Sequence, residues 1–570
     1  MKYPDITDDK FNTKINHVFK KYTIKKKHQT YNEICFPKKY ELQLPQIFLS
    51  KYINPHTPYK RILIYHRIGA GKTCSAIQIA EQWKHIRNII IVLPASLISN
   101  FRMELRSPCT GNNYLSENDR MKLDSLHPNS ESYKEIIRKS DERIDKYYNI
   151  YSYNKFVDLI DEHMISLRNA ILIIDEIQNM VSYGGTYYNK LYALIHSASK
   201  DLRIVLLSAT PMFDKPNEIA LTINLLRSTK DELPVENKFN QTFIDIHKHG
   251  NNITYKMKNI DLFKKYIKGY ISYFRGAPSF TFPEIIMRFV KCEMSDFQLA
   301  AYRAVLKHEE YEEQALAEDA IYVGDLPNNF MIGTRIVSNI VFPNKRLGES
   351  GLKSLTLRII RDNLEKYSVK FHNIMRRIRK VKGKVFVYSS FKEYGGIESF
   401  IKVLDAFGYT DYNETGEGRK RYAVWSGDES LARREHTKNI FNMIENTDGS
   451  KIKIILGTMA IKEGISLLDV KQVHIIEPYW NKSRLDQILG RANRYCSHKN
   501  LPKDERILKM YVYLAVSEKI SETVDQYINK LSIQKHKIIS QFERAIQEAA
   551  LDCQLNKNAN NIENNIKCDA

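Results

Sequence analysis

The chain of 570 residues is too long for one hydrophobic core, so two or three domains are expected. Its 87 lysines and arginines outnumber its 66 aspartates and glutamates, and the net charge of +21 favours a polyanionic partner, with a solvated lysine-rich surface as the alternative. Because it has no signal peptide and no apolar run long enough to cross a bilayer, we exclude a membrane partner and expect a cytoplasmic protein.

The cysteines are scattered along the chain, and no two of them form a CxxC pair. Such a set is typical of reduced thiols in a cytosol-like compartment and argues against a structural zinc site. We therefore predict free thiols throughout. The positions are Cys35, Cys74, Cys109, Cys292, Cys496, Cys553 and Cys568.

Short apolar runs alternate with helical patterns after a polar, basic extension over residues 1–40. Runs of Val, Ile and Leu of this length are typical of strands buried on both faces of a parallel sheet. They predict an α/β domain over residues 41–283, which ends in a polar connector from Ser228. The predicted strands are Ile62–Tyr65, Ile89–Leu93, Ile171–Ile174 and Ile204–Leu207.

A glycine turn between the first predicted strand and a helical pattern carries the strongest chemical signal. It consists of Gly69, Ala70, Gly71, Lys72 and Thr73. A strand, a glycine turn and a helix in this order present backbone N–H groups to a phosphate chain. Lys72 would reach the outer phosphates and Thr73 would bind Mg²⁺, so ATP and Mg²⁺ are the predicted cofactors. His66 stands where the common pattern has its first glycine, and a plain surface turn is the alternative.

Polar residues follow two more of the predicted strands. Asp175 and Glu176 follow the run Ile171–Ile174, at the carboxyl end of a buried strand, where ligands bind in open α/β sheets. We expect Asp175 to hold Mg²⁺ through its water shell and Glu176 to polarise the attacking water. Ser208 and Thr210 follow the next strand and would bond the carboxylates or cap a helix.

A second alternating series occupies residues 284–530 and predicts a second α/β domain. A mostly helical insertion over 302–382, with a loop at Gly324–Pro327, interrupts it. The tail over 531–570 is predicted to form an amphipathic helix with a packed apolar face, followed by a disordered end from Asn556. The predicted strands are Ile285–Lys291, Lys384–Tyr388, Ile452–Leu456, Val473–Ile476 and Lys509–Leu514.

Two arginines near the end of this series complete the predicted chemistry. Arg491 and Arg494 lie three positions apart, which predicts that both occupy one face of a helix. A guanidinium aimed at a γ-phosphate stabilises the charge that spreads during phosphoryl transfer, whereas a surface salt-bridge pair is the alternative. Gln46, upstream of the glycine turn, is of the type that contacts an adenine edge.

Together these motifs resemble those of the superfamily 2 helicases and translocases. They are Gly69–Thr73, Asp175–Gln178, Ser208–Thr210 and Gln487–Arg494. Further strings, among them Tyr495–His498 and Ala549–Cys553, resemble the helicase-like transcription ATPases of poxviruses, of other large cytoplasmic DNA viruses and of yeast cytoplasmic linear plasmids.

The resemblance implies two RecA-like lobes with parallel sheets that clamp ATP, with Arg491 and Arg494 brought onto its γ-phosphate. Gln178 departs from the family's usual histidine. The residues that the resemblance adds to the nucleotide site are Gly464 and Gln487. Those that it implies for coupling are Gln178, Ser208 and Thr210. Those that it implies for nucleic-acid contacts are Pro94, Ser96, Asn154 and Thr458.

The sequence thus predicts an ATP-dependent nucleic-acid motor, with DNA preferred to RNA as its partner. We expect it to serve viral or plasmid transcription with an RNA polymerase, in the host cytoplasm or a virion. A transcription scaffold that binds DNA and polymerase is the alternative, and a missing carboxylate or arginine would favour it, but none is missing. A small-molecule kinase would leave the second α/β domain unexplained.

Overall fold

The computed structural model describes residues 3–26, 29–182, 184–250, 252–313, 330–426, 429–459, 465–560 and 566–570. The chain divides into two compact units. The first comprises Met1–Pro278 and Lys537–Ala570, and the second comprises Ser279–His536. Within the described residues, no helix combines the length and apolar character that a bilayer crossing requires.

A six-stranded sheet, parallel throughout, forms the centre of the first unit. The strands of this unit are β1 (Arg61–His66), β2 (Asn88–Leu93), β3 (Tyr148–Ser152), β4 (Ala170–Ile174), β5 (Arg203–Ser208), β6 (Ile244–His249), β7 (Asn252–Met257) and β8 (Ile271–Phe274). The order in the sheet is β3-β2-β4-β5-β1-β8, while β6 and β7 form a separate antiparallel hairpin. The central strands are apolar on both faces because both faces are buried.

Helices surround this sheet. Those of the first unit are α1 (Phe11–Val18), α2 (Tyr31–Cys35), α3 (Leu44–Tyr52), α4 (Lys72–Glu81), α5 (Ile98–Arg106), α6 (Glu117–Ser125), α7 (Glu131–Asp145), α8 (Tyr153–Asp161), α9 (Thr186–Ser197), α10 (Glu218–Asn224), α11 (Glu236–Phe243) and α12 (Ile260–Ile267). Helices α4 and α8 each begin within a few residues of a strand's carboxyl end, so their first turns lie at the same edge of the sheet.

The second unit has a seven-stranded sheet, also parallel throughout. Its strands are β9 (Glu284–Glu293), β10 (Lys384–Tyr388), β11 (Thr410–Asp411), β12 (Arg421–Trp425), β13 (Ile454–Gly457), β14 (Val470–Ile475) and β15 (Ile507–Val516). Their order is β11-β12-β13-β10-β14-β15-β9. Two clusters of buried apolar side chains include residues from its strands, among them Phe386 in one cluster and Val385 in the other.

The helices of the second unit cover this sheet, and the last ones return to the first unit. They are α13 (Asp296–Glu313), α14 (Ile332–Asn339), α15 (Glu349–Ser354), α16 (Leu357–Tyr367), α17 (Val369–Lys380), α18 (Ile397–Ala406), α19 (Tyr412–Thr415), α20 (Leu431–Asn442), α21 (Lys482–Ala492), α22 (Val524–Ala549) and α23 (Cys553–Asn560). Helix α22 begins in the second unit and ends in the first.

The predicted α/β class with two parallel sheets is confirmed, and each predicted strand is present. The sequence patterns missed β3, β6, β7, β8, β11 and β12 because these strands are short or carry polar residues. Strand β8 lies inside the predicted connector and pairs with β1 at the edge of the first sheet. The described part of the predicted insertion is helical, and the loop Gly324–Pro327 lies outside the described residues.

Both chain ends belong to the first unit, and they contact each other. The Asn16 side chain donates to Leu551 O at 2.9 Å and accepts from Leu555 N at 3.1 Å. The apolar face of the tail helix is packed as predicted, with Phe542 fully buried against Phe263. The prediction of disorder from Asn556 is wrong for the described residues, because α23 continues to Asn560 and Asn556 donates to Tyr273 O at 3.0 Å.

The prediction of free thiols is also wrong. Cys74 is disulfide-bonded to Cys109, and Cys553 is disulfide-bonded to Cys568. Cysteine spacing did not reveal these pairs, because their partners meet through tertiary folding rather than through a local motif. Among the described cysteines, Cys292 is the free one, and it is buried.

Candidate nucleotide and nucleic-acid site

The glycine turn of the first unit connects β1 to the start of α4. Gly69 and Gly71 have φ values of +81° and +72°, a region in which residues with a Cβ atom are strained. A Cβ atom at Gly71 would also lie 2.5 Å from Gln46 Nε2, so the Gln46 side chain would have to move. Helix α4 then begins at Lys72, so the N-terminal N–H groups of a helix open onto the turn.

Gln46 lies against this turn, as its predicted place in the nucleotide site requires. Its Nε2 donates to Gly71 O at 3.2 Å, and its Oε1 accepts from Gln43 N at 2.9 Å. The side chain is only 4% exposed. In this structure both ends of the amide are therefore engaged by the protein, and the adenine contact stays a prediction.

Lys72 bridges the two carboxylates that follow β4. Its Nζ lies 2.7 Å from Glu176 Oε1 and 3.2 Å from Asp175 Oδ1. Burial alone would lower the pKa of Lys72, but the charges of Asp175 and Glu176 outweigh burial and raise it above the usual value. The lysine is therefore cationic at neutral pH, and its contact with outer phosphates stays a prediction.

A chain of hydrogen bonds leads from Glu176 to the end of β5. Gln178 Nε2 donates to Glu176 Oε2 at 2.5 Å, and Ser208 Oγ donates to Gln178 Oε1 at 2.7 Å. Thr210 N in turn donates to Ser208 Oγ at 3.0 Å. The three predicted coupling residues are thus in direct succession. Ser208 reaches the carboxylate through Gln178, and not directly as the sequence analysis had allowed.

His66, the departure from the common pattern, is explained by its place in the fold. It is the last residue of β1, fully buried, and not part of the turn. Its Nε2 lies 3.0 Å from Ser272 Oγ, which donates to Asp552 Oδ2 at 2.6 Å. Burial lowers the pKa of His66 to about 3, so the ring is neutral. Through Ser272 and Asp552, the His66 side chain connects the end of β1 to β8 and to the C-terminal segment.

The predicted nucleic-acid residues of this unit lie at the same edge of the sheet as the nucleotide residues. Pro94 and Ser96 follow β2, and Asn154 follows β3, the edge strand. Asn154 is exposed, and its Oδ1 accepts a hydrogen bond from Tyr187 Oη. In the sheet order, strands β3 and β2 carry these residues, while β4, β5 and β1 carry the nucleotide residues. The residues predicted for nucleic acid and those predicted for the nucleotide therefore follow neighbouring strands at one edge of the sheet.

In the second unit, Gln487 and Arg491 lie one turn apart on α21, and Thr458 follows β13. Gly464 lies outside the described residues. The prediction that Arg491 and Arg494 share one helical face is wrong, because α21 ends at Ala492 and Arg494 lies beyond it.

Arg494 is nevertheless held near Arg491. Its Nε donates to Gly490 O at 3.0 Å, which keeps the side chain folded back on the last turn of α21. Burial and the neighbouring charge of Arg491 lower the pKa of Arg494 to about 9. The phosphate-binding role of the two arginines stays a prediction.

Comparison with known protein families identifies both units. Residues 53–339 match the SNF2-related domain, and residues 369–496 match the helicase conserved C-terminal domain. The chain belongs to the SNF2-related helicases. Its matched regions include the glycine turn, both carboxylates and both arginines.

Viral proteins are among the relatives of this SNF2-related helicase. R563 of Acanthamoeba polyphaga mimivirus, provisionally named an ATP-dependent RNA helicase, is 50% identical over 575 residues, covering 100% of this chain and 99% of R563. An African swine fever virus protein (isolate Warthog) named as a homologue of the termination factor NPH-I is 26% identical, over 87% of this chain and 76% of that protein.

The donor set of this helicase fits a Mg²⁺ ion. The Thr73 hydroxyl belongs to the first turn of α4, which follows β1, and the buried Asp175 carboxylate follows β4, two strands from β1 in the sheet. All these donors are oxygen atoms, the ligands that Mg²⁺ prefers. Asp175 Oδ1 is also oriented by Glu176 N at 2.9 Å. Thr73 and Asp175 would hold the ion, which would neutralise phosphate charge when bound.

Two residues near the ends of β4 and β5 of this SNF2-related helicase were not predicted from the sequence. Tyr153 donates from its hydroxyl to the backbone carbonyls beside Glu176. Glu218 accepts from Phe213 N at 2.6 Å and from Asp214 N at 3.0 Å, which fixes the loop that follows β5. Tyr153 directly precedes Asn154, which the family resemblance implied for nucleic-acid contacts, but no pattern around Glu218 distinguishes it from a helix-capping acid.

Proposed function

We propose that this SNF2-related helicase is an ATP-hydrolysing motor that moves along nucleic acid. The observation that carries the proposal is the Lys72 bridge to Asp175 and Glu176, placed directly under the glycine turn. This arrangement has the parts that phosphoryl transfer uses: a cation for the outer phosphates, a carboxylate for Mg²⁺ and a carboxylate for water.

In the proposed cycle, ATP draws Lys72 away from Glu176, and the released carboxylate orients the attacking water. Arg491 and Arg494 are proposed to supply positive charge to the γ-phosphate during transfer. The hydrogen-bond chain from Glu176 through Gln178 to Ser208 would report the state of the nucleotide to the end of β5.

We propose DNA as the first partner and RNA as the second. The charge of +21 supports binding through phosphates, which predicts weak sequence preference and a strong dependence on salt. The name of the African swine fever virus relative, a termination factor homologue, supports a role in transcription, whereas that of the mimivirus relative supports RNA. An RNA polymerase as protein partner is part of the same proposal. Action in the cytoplasm of an infected host, or inside a virion, belongs to the same proposal.

The test is the ATPase rate with single-stranded DNA, duplex DNA and RNA side by side. We expect stimulation by at least one of them, strongest with DNA, and a loss of at least about 100-fold in Glu176→Gln. A wild-type rate at background level would exclude the motor and leave the transcription scaffold. Unchanged turnover in Glu176→Gln would exclude the assigned role of the carboxylate.

A further inference from the structure

The Tyr153 hydroxyl contacts the backbone on both sides of Glu176. It lies 2.5 Å from Asp175 O and 2.8 Å from Glu176 O. These carbonyls belong to the two peptide groups that flank the Cα atom of Glu176. One side chain from α8 therefore contacts both peptide planes whose rotation aims the Glu176 side chain.

Glu176 needs such a support, because its backbone is in the left-handed region. Its φ is +51° and its ψ is +46°, a conformation that is unfavourable for a residue with a Cβ atom. Strained residues persist where surrounding contacts determine them, and they concentrate at functional sites. The hydroxyl of Tyr153 supplies contacts of this kind, in addition to the side-chain bonds from Lys72 and Gln178.

The other face of the same helical turn is open to a ligand. Tyr153 is the first residue of α8, and the next two residues, Asn154 and Lys155, are exposed. The turn is capped by Ser152, whose side chain accepts from Lys155 N at 3.3 Å. A nucleic-acid phosphate backbone that contacts Asn154 would thus act on the helical turn that contains Tyr153.

We propose that Tyr153 is a positioning residue that transmits nucleic-acid binding at the first turn of α8 to Glu176. The inference rests on the proposed function, since it assumes that nucleic acid stimulates ATP hydrolysis. A small movement of this turn changes the two hydroxyl contacts and, through the flanking peptides, the direction of the Glu176 carboxylate. The stimulated rate then depends on Tyr153, whereas nucleic-acid affinity does not.

The test is Tyr153→Phe, which removes the hydroxyl and keeps the ring. Turnover is measured with and without saturating DNA, together with the KM for ATP, the DNA affinity by fluorescence anisotropy and the melting temperature. We expect a loss of about tenfold in the DNA-stimulated kcat, while the KM and the DNA affinity stay within about twofold. Tyr59→Phe is the matched control, because its hydroxyl donates to Pro4 O at 2.8 Å in the same unit, and it should retain the full stimulated rate.

Two results would overturn the inference and leave the motor in place. One is an unchanged stimulated kcat in Tyr153→Phe. The other is an equal loss of basal and stimulated rates together with a lower melting temperature, which would make Tyr153 a structural residue. A wild-type protein without ATPase activity would instead refute the proposed function, and the inference with it.

Discussion

Gln178 Nε2 donates to Glu176 Oε2 at 2.5 Å, so a neutral amide side chain contacts this carboxylate directly. An amide can donate and accept at the same time, and Gln178 does both, because its Oε1 accepts from Ser208 Oγ. The link between the carboxylate and β5 is therefore complete without an ionisable group.

Because Gln178 and Ser208 belong to one chain of hydrogen bonds, we predict that substitutions at the two positions have non-additive effects on turnover. Gln178→Ala and Ser208→Ala should each lower nucleic-acid-stimulated turnover about tenfold, because each breaks the same chain of hydrogen bonds. The double variant should be little worse than either single one, as a double-mutant cycle of steady-state rates would show. Gln178→His should retain most activity, since imidazole also donates and accepts. Additive losses would mean that the two residues act separately.

Removal of Lys72 should affect stability as well as activity. Lys72→Ala leaves two largely buried carboxylates without their cation, at a cost of about 3 kcal/mol in the free energy of unfolding. Mg²⁺ should restore part of this loss, because it neutralises the same carboxylates. Chemical denaturation with and without Mg²⁺ measures both effects.

Lys60→Ala is the control for that experiment, because its pair with Asp201 is exposed. It should cost no more than about 1 kcal/mol and show no Mg²⁺ dependence. Equal losses in the free energy of unfolding of the two variants would show that the Lys72 bridge stabilises the fold no more than an exposed ion pair does.

The arginines of the second unit should affect catalysis and leave ATP binding nearly unchanged. Arg491→Ala and Arg494→Ala are each expected to lower kcat by about 10³, because their charge is needed in the transition state. Steady-state kinetics would show the split between kcat and KM. Arg361→Ala, an exposed arginine of α16, should have no effect, and a normal kcat in Arg491→Ala would disprove its role.

Glu218 should make stability depend on pH. Burial raises its pKa to about 7 in the folded protein, above the ordinary value near 4.5. A carboxyl group whose pKa is raised by folding contributes most below its unfolded pKa, and this contribution of about 3 kcal/mol is lost as the pH rises from the unfolded pKa through 7. Glu218→Gln should flatten that decline in pH-dependent denaturation, and Glu117→Gln, at an exposed position of α6, should not.

The bond between Cys74 and Cys109 should stabilise the first unit. It joins the first turn of α4 to a segment 35 residues away, so its reduction should cost about 4 kcal/mol through the entropy of the unfolded chain. Thermal denaturation with and without dithiothreitol measures the loss. A Cys74→Ser, Cys109→Ser double variant should already be less stable and respond less to the reductant. An equal response in both proteins would assign the effect to other cysteines.

The amino-acid sequence by itself determined the local elements of this protein. Buried parallel strands need continuous apolar runs, and a phosphate-binding turn needs glycine at left-handed positions, so β1, β4 and the turn with Gly69 and Gly71 could be predicted. These constraints act over a few neighbouring residues and leave a visible pattern.

Only the tertiary structure decided which distant residues meet. Tyr153 beside Glu176, Asp552 beside Ser272 and Cys74 beside Cys109 are contacts between segments far apart in the chain. Arg494 left the predicted helix because α21 ends at Ala492, at a cap that the motif's spacing does not encode. Such contacts depend on how sheets and helices pack, and packing selects pairs of residues without imposing a regular spacing on either one.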